Sequence, residues 1–237
     1  MKRPSNLSES LHQRLNSYAL AASAAGVSLL ALAQPAEARI VYTPAHRTIP
    51  NDGHYRLDLN HDGLPDFVLA NPWQTLQSSY GVSSVLAYQF NHGPNRVYGR
   101  GSLASCLHKG IRVGPGGHFS PSDRIMARFF WGDGVYHVKG YWANSGKGVQ
   151  DRYLGLRFRI KDETHYGWAR LNLRIQDDYP GMTATLTGYA YETIPNKPII
   201  AGKTHGKDVI TVRDASLGHL ARGASAIAAW RGANSAK

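Results

Sequence analysis

Residues 153–175 constrain this chain most. Leu154, Leu156, Phe158 and Ile160 alternate with Gly155, Arg157 and Arg159; a Lys-Asp-Glu break follows; then Ala169, Leu171, Leu173 and Ile175 alternate with Trp168, Arg170, Asn172 and Arg174. Period-two alternation on both sides of a short polar break is a β-hairpin with one apolar and one polar face. The apolar row is assigned to the core and the other row, with Tyr166 and Trp168 among its arginines, to solvent. Such a wet face supports either arginine–aromatic packing or recognition of acidic sugars.

The same grammar runs through the chain from Arg39. Short apolar runs punctuated by Gly, Pro, Asn and Asp predict strands over 40–42, 54–59, 66–70, 73–79, 82–90, 124–131, 135–142 and 182–193, and helical spacing is rare. The expected fold is all-β, an antiparallel two-sheet sandwich of jelly-roll type. Cys106 is the single cysteine, so no intramolecular disulfide staples the fold and packing must hold it. Residues 91–151, broken by Gly-Pro-Asn, Gly-Pro-Gly-Gly and Gly-Lys-Gly, read as long loops with short strands. There His92, His108, His118, Tyr141 and Trp142 are either ordinary surface residues or the makings of a binding site.

Between the second and third expected strands stands Asp58-Leu-Asn60-His-Asp62-Gly63-Leu64-Pro-Asp66. Calcium takes six to eight hard oxygens, and a tight loop supplies them from alternate side chains. Asp58, Asn60, Asp62 and Asp66 offer side-chain oxygens, Leu64 its carbonyl, and Gly63 the sharp turn. Position 12 is Leu69 and the following residues run as a strand, which excludes an EF-hand. The stretch resembles the calcium loops of FG-GAP and thrombospondin type 3 repeats. That resemblance implies a structural calcium held by Asp58, Asn60, Asp62, Leu64 and Asp66. The alternative is an Asx-rich turn whose acids cap backbone N–H groups without metal.

Lys2, Arg3 and Arg14 precede an uncharged stretch over 18–33, and Ala36-Glu-Ala38 supplies small residues at a cleavage site. This predicts a helical signal peptide over 1–38 and an exported, extracellular mature chain, an uncleaved anchor being the alternative. A β-sandwich domain over 39–202 and a linker and tail over 203–237 complete the expected organisation. Residues 153–202, from Tyr153-Leu-Gly-Leu-Arg-Phe to Pro198-Ile-Ile-Ala-Gly202, resemble the C-terminal half of exported bacterial proteins of unknown function, many of which end in a PEP-CTERM sorting signal. Residues 212–231 are similar to a worn PEP-CTERM tail. Arg213-Asp214-Ala215 stands where Pro-Glu-Pro would, and His219 and Arg222 interrupt the apolar span, so a short helical or disordered tail is expected instead.

The formal net charge is +11, with the basic residues scattered and no nucleic-acid motif beside them. That composition suits solubility or loose attachment to an anionic cell surface; the expected partner is an anionic or neutral polysaccharide or the cell envelope, not nucleic acid. After residue 38 only Glu163 and Glu192 are glutamates, and no nucleophile or phosphate-loop motif occurs. The readings rank as a non-catalytic surface or matrix protein with a calcium loop, then a carbohydrate-binding protein, then a polysaccharide-active enzyme.

Overall fold

The computed structural model describes residues 39–77, 80–120, 124–132, 135–176 and 181–212. The expected signal peptide, the Asp177-Asp178 turn and the tail after Val212 lie outside the described residues. Sixteen strands are described: β1 (Ile40–Ile49), β2 (His54–Leu57), β3 (Phe67–Ala70), β4 (Trp73–Gln77), β5 (Tyr80–Gln89), β6 (Arg96–Arg100), β7 (Leu103–Ala104), β8 (Arg112–Val113), β9 (Phe119–Ser120), β10 (Arg124–Gly132), β11 (Val135–Lys139), β12 (Val149–Ile160), β13 (Glu163–Gln176), β14 (Gly181–Glu192), β15 (Ile199–Ile200) and β16 (Val209–Thr211). The described fold is all-β, as the alternation requires.

Fourteen strands form one sheet, in the order β16-β1-β14-β13-β12-β6-β7-β10-β5-β3-β2, with β4, β9 and β11 attached at its sides. β6 joins the two halves of this path, pairing with β12 through Val97 and with β7 through Gly99. The sheet curls, and the main core cluster collects side chains from both ends of it. Val85, Ala87, Met126 and Phe129 come from one end, and Leu154, Leu156, Phe158, Leu171, Leu173 and Leu186 from the other. Removing each such leucine or phenylalanine from water contributes roughly 1.5–3 kcal/mol, which is how a chain without disulfides holds.

The β12–β13 hairpin turns at Lys161 and Asp162, both at positive φ (46° and 65°), between the paired Ile160 and Glu163. Two consecutive left-handed residues match the twist of the flanking strands. Arg159 braces the turn through the Asp162 carbonyl and, at 3.6 Å, its carboxylate. The apolar row faces the core as expected, and the second face keeps Arg159 and Arg174 exposed, but its aromatic middle is not wet. Trp168 is fully buried and Tyr166 nearly so, in a second cluster with Tyr153, Leu107, Val113, Ile199 and Ala201. The small β8–β15 sheet and its flanking loops cover that face. Alternation does not show this, because coverage by residues about 30–60 positions away in sequence is invisible to periodicity.

Two further differences have local causes. β1 continues past Pro44 to Ile49 through an irregularity between Pro44 and Arg47, which absorbs the missing N–H. Residues 209–211, read as linker, form β16 and pair in parallel with β1, so ordered pairing extends beyond Gly202. The strands expected over 66–70 and 73–79 are β3 and β4, separated at Pro72 and lying end to end along β5. The seam between the ends of the sheet is fixed by Asn71, fully buried, whose Nδ2 donates to the Met182 carbonyl (2.6 Å) and the Ile49 carbonyl (3.4 Å).

Candidate functional site

Pairing of β2 with β3 ends at Leu57 and Phe67, and the 58–66 loop spans the gap. Leu59 anchors it from the middle: this side chain is fully buried in the main cluster and lies against Gly167 of β13. Around that anchor the acids turn onto the loop's own backbone. Asp58 accepts from His61 N–H (2.7 Å) through Oδ1 and from Gly63 N–H (2.8 Å) through Oδ2. Asp62 accepts from Leu64 N–H (2.8 Å) and from Asn60 Nδ2 (2.9 Å). Asp66 Oδ2 accepts from Leu59 N–H at 2.9 Å. His61 and Gly63 carry the positive φ values, 61° and 87°, that close these turns.

The charge balance of the loop is unfavourable by itself. Asp66 is only 7% exposed. Burial pushes its carboxyl up to about 7, the charges of Asp58 and Asp62 push the same way, and hydrogen bonds from Leu59 N–H and Asn95 oppose them. The Tyr191 phenol of β14 is also raised, first by burial and then by Asp58, Asp66 and Asp62, so the negative field reaches the neighbouring strand. Asn60 Oδ1 is buried with no hydrogen-bond partner. Among the described residues no three His, Cys, Asp or Glu side chains form a metal-holding cluster. By donor chemistry the set suits a hard cation, with three carboxylates, an orphaned amide oxygen and the Leu64 carbonyl, every one an oxygen.

Spacing alone did not point to the residues that dock this loop. His61 Nε2 lies 2.8 Å from Thr43 Oγ1 on β1, and its ring packs 5.7 Å from Tyr189 on β14. Asn95 donates to the Asp66 carbonyl (3.2 Å) and carboxylate (3.3 Å) and accepts from Arg159 N–H (3.1 Å). The loop is thus tied to both ends of the curled sheet. The signal for Asn95 was hidden in a Gly-Pro-Asn stretch that reads only as a turn.

The other singled-out residues separate. His108 and Tyr141 line one cavity of about 520 Å³ with Ser105, Cys106, Asn144 and Arg152. Trp142 is fully buried, its indole N–H donating to the Ser105 carbonyl at 3.3 Å. His92 sits in an exposed 3₁₀ turn and His118 meets β6 through its carbonyl, so neither joins that cavity. On the hairpin, Arg157 stacks over Phe119 (5.2 Å) and Arg170 bonds Thr187, the packing alternative of the two readings of that face. Glu192 is buried and paired with Lys197 at 3.2 Å while its other oxygen accepts from Ile194 N–H, a structural arrangement.

No protein-family model matches this chain, and no curated protein and no solved structure matches it.

Proposed function

We propose that this is an exported, non-catalytic surface or matrix protein, built as a jelly-roll-like two-layer sandwich, in which the 58–66 loop holds a structural calcium ion. The observation that carries the metal is the conjunction of the orphaned Asn60 Oδ1 with the buried, charge-crowded Asp66 carboxyl. Both are costs that a bound cation removes. Asp58, Asn60, Asp62 and Asp66 would hold the ion with the Leu64 carbonyl, and the ion would supply charge neutralisation only. The chain's own residues do the rest: Leu59 seats the loop in the core, while His61 and Asn95 fasten it to β1, β14 and β12. Calcium would then stabilise the closure of the curled sheet as well as one hairpin. What supports the sandwich reading is that one core cluster draws on both ends of the strand path. What supports a non-catalytic role is that Glu192, the one buried glutamate among the described residues, is committed to Lys197 and the backbone.

Thermal unfolding in EDTA and then in millimolar Ca²⁺ tests this, with Asp58→Ala and Asp62→Ala beside wild type. For a Kd near ~0.1 mM, ~1 mM calcium adds about 1.4 kcal/mol to wild type and nothing to either variant. Equal curves for all three proteins in both buffers would reduce the loop to an Asx-rich turn.

A further inference from the structure

The cavity beside β12 is built from three segments that the sequence scatters over nearly fifty residues. One is 105–108, held to β12 by reciprocal hydrogen bonds between Leu107 and Tyr153 (3.0 and 2.9 Å). The second is the 140–144 turn. Gly140, at φ 100°, brings the backbone so close to the Met126 carbonyl that a Cβ would stand 2.3 Å from that oxygen, and Trp142 N–H bonds the same carbonyl at 3.2 Å. The third is the start of β12, where an irregularity between Val149 and Arg152, with Asp151 at φ 48°, sets Arg152 directly across from Leu171. The walls are therefore pinned before any ligand arrives, which lowers the ordering cost of binding.

The lining has one electrostatic sign. Arg152 carries it, with the His108 imidazole beside it, and no Asp or Glu contributes. Arg152 gives one hydrogen bond, to the Gln150 carbonyl at 3.1 Å, and no carboxylate among the described residues pairs with it; the adjacent Asp151 pairs instead with Arg170 at 3.8 Å. Tyr141 is 58% exposed above the buried Trp142, presenting an aromatic ring at the rim, and Asn144 adds an amide. The cavity of about 310 Å³ on the sheet's other end contrasts with this. It is lined by Val82, Leu86 and Phe130, and its Arg128 is already engaged by Ser84 Oγ (2.9 Å) and the Phe130 ring.

A planar cation able to grip a carboxylate, an aromatic ring for a sugar's C–H face and amide and imidazole groups for hydroxyls are the chemistry of an acidic saccharide. We propose that this cavity binds uronate-bearing glycan, with Arg152 on the carboxylate, Tyr141 against the sugar ring, and Asn144 and His108 on its hydroxyls. The assignment does not depend on the metal loop, which is a separate set of residues.

The probe is a glucuronate tetrasaccharide titrated against the full chain in EDTA, because calcium itself bridges uronates; the carboxyl-reduced neutral tetrasaccharide is the control. Saturable heat of binding is expected for the acidic sugar and at least about tenfold weaker binding for the neutral one, the loss of a charge-assisted contact. Arg152→Ala is expected to weaken binding by about tenfold, and Arg152→Lys by less because it keeps the charge but not the fork. Tyr141→Ala, at an exposed position, tests the site without endangering the fold. Cys106, the only thiol, gives an independent readout: bound sugar should slow its alkylation. Absence of saturation, equal affinity for the neutral sugar, or full affinity in both Arg152→Ala and Tyr141→Ala would each overturn the assignment.

Discussion

The β12–β14 region and the β2–β3 hairpin solve the same problem by different physics. β13 is paired on both sides, buried on one face by the main cluster and, around Tyr166 and Trp168, on the other by Tyr153, Leu107 and Val113. Its stability is chiefly apolar, drawn from the two clusters that pack against it. The β2–β3 hairpin is four residues to a strand, and its connection crowds three carboxylates around one buried leucine. It depends on hydrogen bonds, a docked histidine and the charge state of Asp66. The difference teaches where environmental sensitivity resides: where packing is thin, polar geometry decides.

The largest effect should come from breaking the packed region. Phe158→Ala removes a fully buried ring in contact with Tyr191 and is expected to cost about 3–5 kcal/mol, the same in EDTA as in calcium, by chemical denaturation. A calcium-dependent cost would erase the distinction between the regions. Next is Asp66→Asn. The folded carboxyl titrates near 7 against an ordinary value of 3.8, so without metal the folded state holds the proton more tightly. Its stability therefore falls as pH rises from about 4 to about 7 and levels off above. Asp66→Asn should abolish that slope and, in EDTA at pH 7.5, be more stable than wild type by on the order of 2 kcal/mol, while gaining nothing from calcium. Wild type should gain more from calcium at pH 7.5 than at pH 5.5, because the Asp66 proton competes with the ion. An apo stability that rises across this range would contradict the buried, charge-crowded site. The smallest effect sharpens the comparison: Leu64 is 71% exposed and offers only its carbonyl, so Leu64→Ser should change stability by less than about 0.5 kcal/mol with or without calcium.

Much of the fold was legible because strand periodicity is a local signal. The 153–175 hairpin and the strand over 182–193 stand within a few residues of their expected limits. Its turn was legible only as a break, since Lys161-Asp162 lacks the Asn-Gly signature of a left-handed pair. In 91–151 the alternation is too short to read, so β6, which joins the two halves of the sheet, was lost among loops. The loop donors Asp58, Asn60, Asp62, Leu64 and Asp66 were legible by spacing, whereas Thr43 and Asn95 were not, for they come from other strands. His108 and Tyr141 were picked out by residue type, but Arg152 joins them only through the irregularity at the start of β12.

The sequence by itself determined that the described chain is β-structure held without disulfides, and that one loop gathers oxygen donors, because alternation, cysteine count and a nine-residue spacing are properties of neighbours along the chain. Tertiary structure alone decided that Trp168 is buried, that Asn71 bolts the seam, that Asp66 is pressed toward neutrality, and that Arg152 faces a cavity with Tyr141. Each of those depends on which distant segment covers a side chain, and coverage sets both the cost of a charge and the company it keeps.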